Sequence, residues 1–423
     1  MIRSARRETP CRRSQRGAGA LIVVLLLFVV ISLVAAYTSR SMIFEQQTSA
    51  NYSRSSVALE AAEAGIGWAV GMLNTAQAVD TACVPNATGT PFRTSYLVLD
   101  PKSATPVAPT PWISAFGNGL TCVRTGDGAW TCSCPVGAAA TPSVPAVAAN
   151  AVQGSFAVQF GSPNPNGSML LTSTACTTAD YNCLLQSTWK SGQAVAQVQA
   201  TVALKGAISA PPPAALTSGG AVSVTNMRVS SLSNLVAIDS AGASSTNPTW
   251  VGLPPGTPLP PPNSGVVQSD TSLPPTADML FTSVFGTSRN TYQWLPSTVF
   301  LQCPAQCDAA TLSSTAAANP GRALWLSGNA DLASAVTIGS PTGPVVIIAT
   351  GNITTSAAVR IYGLVYAATL TANSTPLIQG AAVVEGDVTG SGTPTIVYDL
   401  GLLTWLRLAA GTFAVVPGSW SLK

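Results

Sequence analysis

Residues 18–36 form an apolar run without one charged side chain, and an arginine-dense head precedes them in "RRSQRGAGALIVVLLLFVVISLVAAY" (12–37). Roughly 20 apolar residues in a helix cross the hydrocarbon core of a bilayer, so this run commits the chain to a membrane at some stage. Three kinds of segment begin this way: a secretory leader cut behind the run, a plain anchor, and a leader cut in front of it. Arginines stand before the run and none follows until Arg40, which places the N-terminus in the cytoplasm and the body outside.

Beyond that run the composition is of another kind. Only 8% of the 423 residues are charged, and the rest is rich in Ala, Ser, Thr, Gly, Pro and Val. Such a mixture suits an exported β-rich protein with many turns, and no second long apolar run supports a polytopic membrane protein. The net charge of +3 comes from the head. Arg3, Arg6, Arg7, Arg12, Arg13 and Arg16 precede Gly17 against Glu8 alone, leaving 13 basic and 15 acidic residues downstream. The basic cluster is a topogenic signal, and no stripe for nucleic acid follows it.

Cys11 lies in the head; Cys83, Cys122, Cys132, Cys134, Cys176, Cys183, Cys303 and Cys307 follow the membrane run. An even number outside the cytoplasm points to disulfides. Zinc is the rival reading, but the chain has no histidine and no paired CxxC. The short loops 176–183, 303–307 and 122–132 would make bridges and leave Cys83 with Cys134; the connectivity stays open, because eight cysteines allow about 105 pairings.

After Tyr37 the helical pattern continues. "FEQQTSANYSRSSVALEAAEAGIGWAVGML" has no proline, and Val57, Ala61, Gly65, Trp68 and Met72 recur at three- and four-residue steps. The prediction is one helix over 18–74, about 85 Å long at 1.5 Å per residue, half of it in the membrane. The period then changes to two. "FAVQF" (156–160) and "AVAQVQATVALK" (194–205) alternate as half-buried antiparallel strands do. "PPP" (211–213) and "PPGTPLPPP" (254–262) forbid helix and read as a boundary and a loop. In the last third, "IIATGNIT" (347–354), "LVYAATLT" (364–371) and "AVVEGDVT" (382–389) align at steps of 17 and 18, with "LWLSGNADL" (324–332) as an earlier, less regular copy. A steady advance of this size predicts rungs of a β-solenoid; the alternative is a meander of evenly spaced hairpins.

The expected fold is therefore α+β, mainly β. Residues 1–17 form a basic leader and 18–76 a long helix, membrane-spanning over 18–37. Residues 77–205 form a small disulfide-bearing antiparallel domain. A Pro/Ser/Gly-rich linker and loop region, or irregular solenoid, covers 206–320. Solenoid-like repeats fill 321–423, closed by a helix near 400–410 and a strand at 413–416.

Catalytic patterns are missing from the sequence. Histidine is absent, and no HExxH, GxSxG, P-loop or EF-hand motif occurs. Glu60 and Glu63 are read as a solvated helix face, and Glu385 and Asp387 as surface residues in preference to a calcium pair. Trp250 and Trp294 are read as local core plugs in preference to a glycan- or partner-binding surface. No enzyme activity, cofactor, metal or nucleic-acid partner is expected.

A basic leader ending in Gly, an apolar helix that continues outward and a β-rich disulfide-bearing body together resemble type IV pilins. Within that group "RGAGALIVVLLLFVVISLVAAY" and "FEQQTSANYSRSSVALEAAEAG" resemble the PilX-type minor pilins, over roughly residues 12–72; Ala61-Ala62-Glu63-Ala64 closes the family's segment. "GTPTIVYD" and "PGSW" near the end are similar to the tails of larger members. The resemblance implies cleavage by prepilin peptidase between Gly17 and Ala18, N-methylation of the new terminus, and retention of the apolar run. That run would anchor the subunit in the inner membrane and then pass into a filament of other major and minor pilins, leaving the body at the cell surface. Small residues permit the close helix approach this needs.

One departure from the family carries information. Major pilins have a glutamate at the fifth mature position, and the equivalent here is Ile22; the first acid after Gly17 is Glu45. A subunit with none ahead of it needs no such carboxylate, so the expected place is at or near the filament tip. The expected roles are initiation of assembly and surface adhesion, through a tip adhesin or a host or surface ligand. A type II secretion pseudopilin shares this architecture, and a single-span adhesin outside any filament is the alternative from another class.

Overall fold

The computed structural model describes residues 17–75, 77–86, 90–110, 119–137, 142–148, 152–186, 188, 190, 192–231, 236–252 and 265–423. Residues 1–16 of the basic leader, with Cys11, and the proline-rich loop read at 254–262 lie outside them. The chain divides between Ser56 and Val57 into two compact units.

A single helix, α1, runs over Gly17–Asn74. It contains no proline, and Ala, Leu, Val, Ile and Phe fill most of its first half. Residues 57–74 belong to the second unit and carry a buried face of Ala58, Ala61, Ala62, Ile66, Ala69 and Leu73. This face stands one position away from the expected stripe: Val57, Trp68 and Met72 are half-buried flanks, although Ala61 and Gly65 are buried. The small residues win the centre because the helix lies close on a sheet. A Cβ on Gly65 would come within 2.2 Å of Ser173 Oγ and 3.0 Å of the Phe156 ring.

That sheet has seven strands, all antiparallel. Its order is Gly411–Val415, Val195–Gly206, Ser168–Cys176, Val152–Pro163, Leu120–Thr125 and Trp130–Ser133, with Ser421–Leu422 also on Val195–Gly206. Phe156, Val158 and Phe160 point into one core with Ile66, Leu73 and Phe413. Ala157 is buried on the opposite face, against Cys176, Cys183 and Leu184. On Val195–Gly206 the alternation holds: Val198, Ala200 and Val202 are buried, and Gln197 and Gln199 donate across to Thr174 and Thr172, each at 3.1 Å. Disulfides join Cys83–Cys134, Cys122–Cys132, Cys176–Cys183 and Cys303–Cys307.

The strand at the C-terminal end differs from its expected place. Instead of closing the repeats, Gly411–Val415 pairs with Val195–Gly206. An unpaired strand edge is an open template, and the chain's end covers it here. The helix before it, Leu400–Leu408, starts on an Asp399 cap whose side chain accepts from the Leu402 N–H, and it buries Leu402, Leu403 and Leu406.

The second sheet has sixteen strands, and every pair in it is parallel. One column of registered residues runs Leu324, Ile347, Val365, Ala382, Leu216, Ile238 and Val266. Another runs Ile338, Ile361, Ile378, Ile396, Val229 and Trp250. Strands buried on both faces read as continuous apolar runs, as "VVIIA" does at 345–349. The columns are not in chain order: residues 216–267 continue the stack beyond residues 380–384. The stretch 206–320 thus holds strands of this sheet as well as the helix Ala277–Phe285, whose Phe281 and Phe285 pack edge-on to Tyr366.

The repeat step is 18 residues from Ile347 to Val365 but 17 from Ile353 to Leu370, because a bulge intervenes between Ala349 and Asn352. Gly363 and Gly380 sit at equivalent positions of successive strands with φ of +138° each. A Cβ on either would strike a carbonyl of the preceding strand, at 1.8 Å and 1.9 Å, so only glycine fits.

Candidate functional site: the amino-terminal helix and its clamp

Between Leu21 and Phe44, α1 exposes an almost continuous series of large apolar side chains, among them Ile22 at 59% and Phe28 at 70%. Among the described residues, α1 is the one helix long and apolar enough to cross a membrane. Burying such a side chain is worth about 1.5–3 kcal/mol, so water is the wrong solvent for this segment and lipid or other helices the right one. Ile22 places no carboxylate there, and the exposed Glu45 is the first acid along the helix.

At its other end α1 is clamped to the body. Asn74 donates from Nδ2 to Phe413 O and accepts from Phe413 N–H at Oδ1, both at 2.8 Å. Arg93 reaches the same corner: Nε donates to Leu73 O at 3.0 Å and Nη2 to Gly411 O at 2.7 Å. Its guanidinium carbon lies 4.9 Å from the centre of the Phe413 ring. A helix leaves its last carbonyls without intrahelical partners, and Arg93 supplies the missing donor at Leu73. Burial, and secondarily the charge of Arg322, lower the Arg93 pKa to about 10. It stays protonated at neutral pH.

Of the predicted site residues, Gly17 and Ala18 fall in the first turn of α1, and Ile22 lies in the exposed apolar segment. Glu60 pairs with Arg124 at 3.0 Å, and Glu63 is exposed. Glu385 is no surface residue: it is 2.5 Å from Arg289, with its side chain 11% exposed. Asp387 Oδ1 accepts from the Ala221 N–H at 2.8 Å. Among the described residues no group of three or more His, Cys, Asp or Glu side chains is placed to hold a metal. Trp250 packs against the core of the parallel sheet, whereas Trp294 is 72% exposed and stacks on Phe300. The clamp residues Asn74, Arg93 and Phe413 carried no motif, since the contacts that close the clamp, Asn74 to Phe413 and Arg93 to Gly411, span 339 and 318 residues of the chain.

Residues 16–66 match the PilX N-terminal family. The chain thus carries the amino-terminal segment of PilX-type proteins and is type IV pilin-like, which fits membrane anchoring and a pilus. A search of curated proteins found no match. Among solved structures, the competence-associated pilin ComZ from Thermus thermophilus is similar at 13% identity, over 87% of this chain and 97% of that one, with a TM-score of 0.22.

Proposed function

We propose that this chain is a minor pilin of a type IV pilus, located at or near the filament tip, where it helps to initiate assembly and presents its β body for adhesion. One observation carries the reading: the exposed apolar segment of α1, free of acids through Phe44, coincides with the PilX-type match at 16–66. In this account prepilin peptidase cuts between Gly17 and Ala18, the new terminus is methylated, and residues 18–37 hold the subunit in the inner membrane with the body in the periplasm. Assembly exchanges lipid around those residues for the helices of other pilins, and the body reaches the surface. Ile22 supports the tip position, since a subunit there has no neighbour ahead whose terminal amine needs a carboxylate. The body acts without catalysis, and its registered parallel columns support reading it as a β-solenoid.

Gold labelling of an epitope inserted at the C-terminus tests the position. Label at one end of each pilus, in few copies, is the expected result. Even labelling along the shaft would rule out the tip, and label confined to the membrane fraction would rule out the filament.

A further inference from the structure

A cleft of about 140 Å³ opens beside the end of α1, with Arg93 and Arg322 among the residues that line it. All of it lies within the unit 57–423. Both cations are held by neutral oxygens. Arg93 uses Leu73 O and Gly411 O as described, and Arg322 donates to Thr298 O at 3.3 Å, to Asn319 Oδ1 at 3.4 Å and to Pro296 O. The Nε of Arg322 is buried without a partner. The salt bridges among the described residues engage Arg124, Lys190 and Arg289, and neither arginine of the cleft. Among the described residues, no acidic side chain lines the cleft.

Two cations in electrostatic reach of one another, Arg93 buried and Arg322 half-buried, with no anion between them, are an unfavourable arrangement. Their repulsion contributes to the lowered pKa of Arg93. A guanidinium presents a planar fork of donors that matches an oxyanion in two-point contact. The remaining walls are mostly apolar, with Leu99 and Trp405 among them, while Thr94 and Thr342 at the rim are exposed. An ion with only a hydration shell gains nothing from such walls. One whose charged head is joined to an apolar body gains from both.

We propose that this cleft binds an organic carboxylate, its head on Arg93 and Arg322 and its apolar body against Leu99 and Trp405. Such a group is available on a small aromatic or aliphatic acid and at the C-terminus of a peptide. The occupied site would join α1's last turn, the loop before the strand at Ala323–Ser327, and the helix Leu400–Leu408. The inference is independent of the pilus reading, because every residue it uses lies in the body.

The test uses the full chain in detergent micelles, titrated with benzoate, with neutral benzamide of the same shape, and with inorganic phosphate. Thermal unfolding and calorimetry are the readouts. Benzoate should raise the unfolding temperature through preferential binding to the folded state. Benzamide should leave it unchanged, phosphate should bind more weakly than benzoate, and added salt should weaken the benzoate effect. R322Q removes one cation. T94E keeps both arginines and places a competing carboxylate at the rim, so it decides the question even where R322Q fails to fold. Each substitution should weaken benzoate binding about tenfold or more. Equal binding of benzamide, tighter binding of phosphate, no response to benzoate, or undiminished binding in T94E would overturn the proposal.

Discussion

Residues 19–44 and residues 58–73 belong to one helix, yet they are built for different surroundings. The first stretch is exposed throughout and, outside the polar residues 38–41, apolar on every side, with branched and aromatic side chains. The second is apolar on one face only, and that face is made of Ala58, Ala61, Ala62, Gly65 and Ala69, with Ile66 and Leu73 as its large members. Bulk suits the first because lipid or neighbouring helices adapt to it. Small residues suit the second because a rigid sheet sets the distance. The two stretches thus separate cleanly: one should govern insertion and assembly, the other the stability of the body.

The largest way to break that separation is Leu73→Ala. Leu73 is fully buried in the core it shares with Phe92 and Phe413, and truncation should cost the body about 2–5 kcal/mol. Denaturant unfolding of the micellar full chain measures it, and membrane fractionation should stay unchanged. Val30→Lys tests the opposite half. Val30 is 53% exposed, and a lysine at the centre of a membrane span costs about 3 kcal/mol of insertion. Membrane fractionation should suffer, while the unfolding of the body should not. A loss of body stability in Val30→Lys would end the division of labour.

Smaller changes sharpen the contrast inside the docked stretch. Gly65→Ala forces a Cβ onto Ser173 and Phe156 and should destabilise by about 1–3 kcal/mol, as overpacking does. Gly67, two residues on, is exposed with nothing within 4 Å of a Cβ. Gly67→Ala should therefore stabilise by about 0.5–1 kcal/mol, from helix propensity alone. Opposite signs at the two glycines, read by the same unfolding experiment, are the expected outcome.

Much of this architecture was legible in the sequence, and the limits have physical causes. The apolar run and its arginine flank announce a span, since charge and hydropathy act locally. The stripe through Val57, Trp68 and Met72 was read one position off because periodicity weighs large side chains, whereas a close sheet selects small ones. Phe156, Val158 and Phe160 alternate inward as expected, yet Ala157 is buried too, because the segment around Cys183 and Leu184 covers the other face. In the last third, the spacing of 17 and 18 residues pointed to parallel registration, and the bulge after Ala349 explains why the step wavers. No local pattern revealed that residues 216–267 extend that stack out of chain order. The clamp was equally hidden: Asn74 meets Phe413 across 339 residues of sequence. Long-range closures of this kind leave no periodic trace.

The central claim is that the apolar run is a retained assembly segment exposed by a cut in front of it. Mass spectrometry of the mature N-terminus tests it most directly. The account predicts a chain that begins at Ala18 and bears a methyl group on its amine. A chain that still begins at Met1, or one that begins after Ala36, would contradict it.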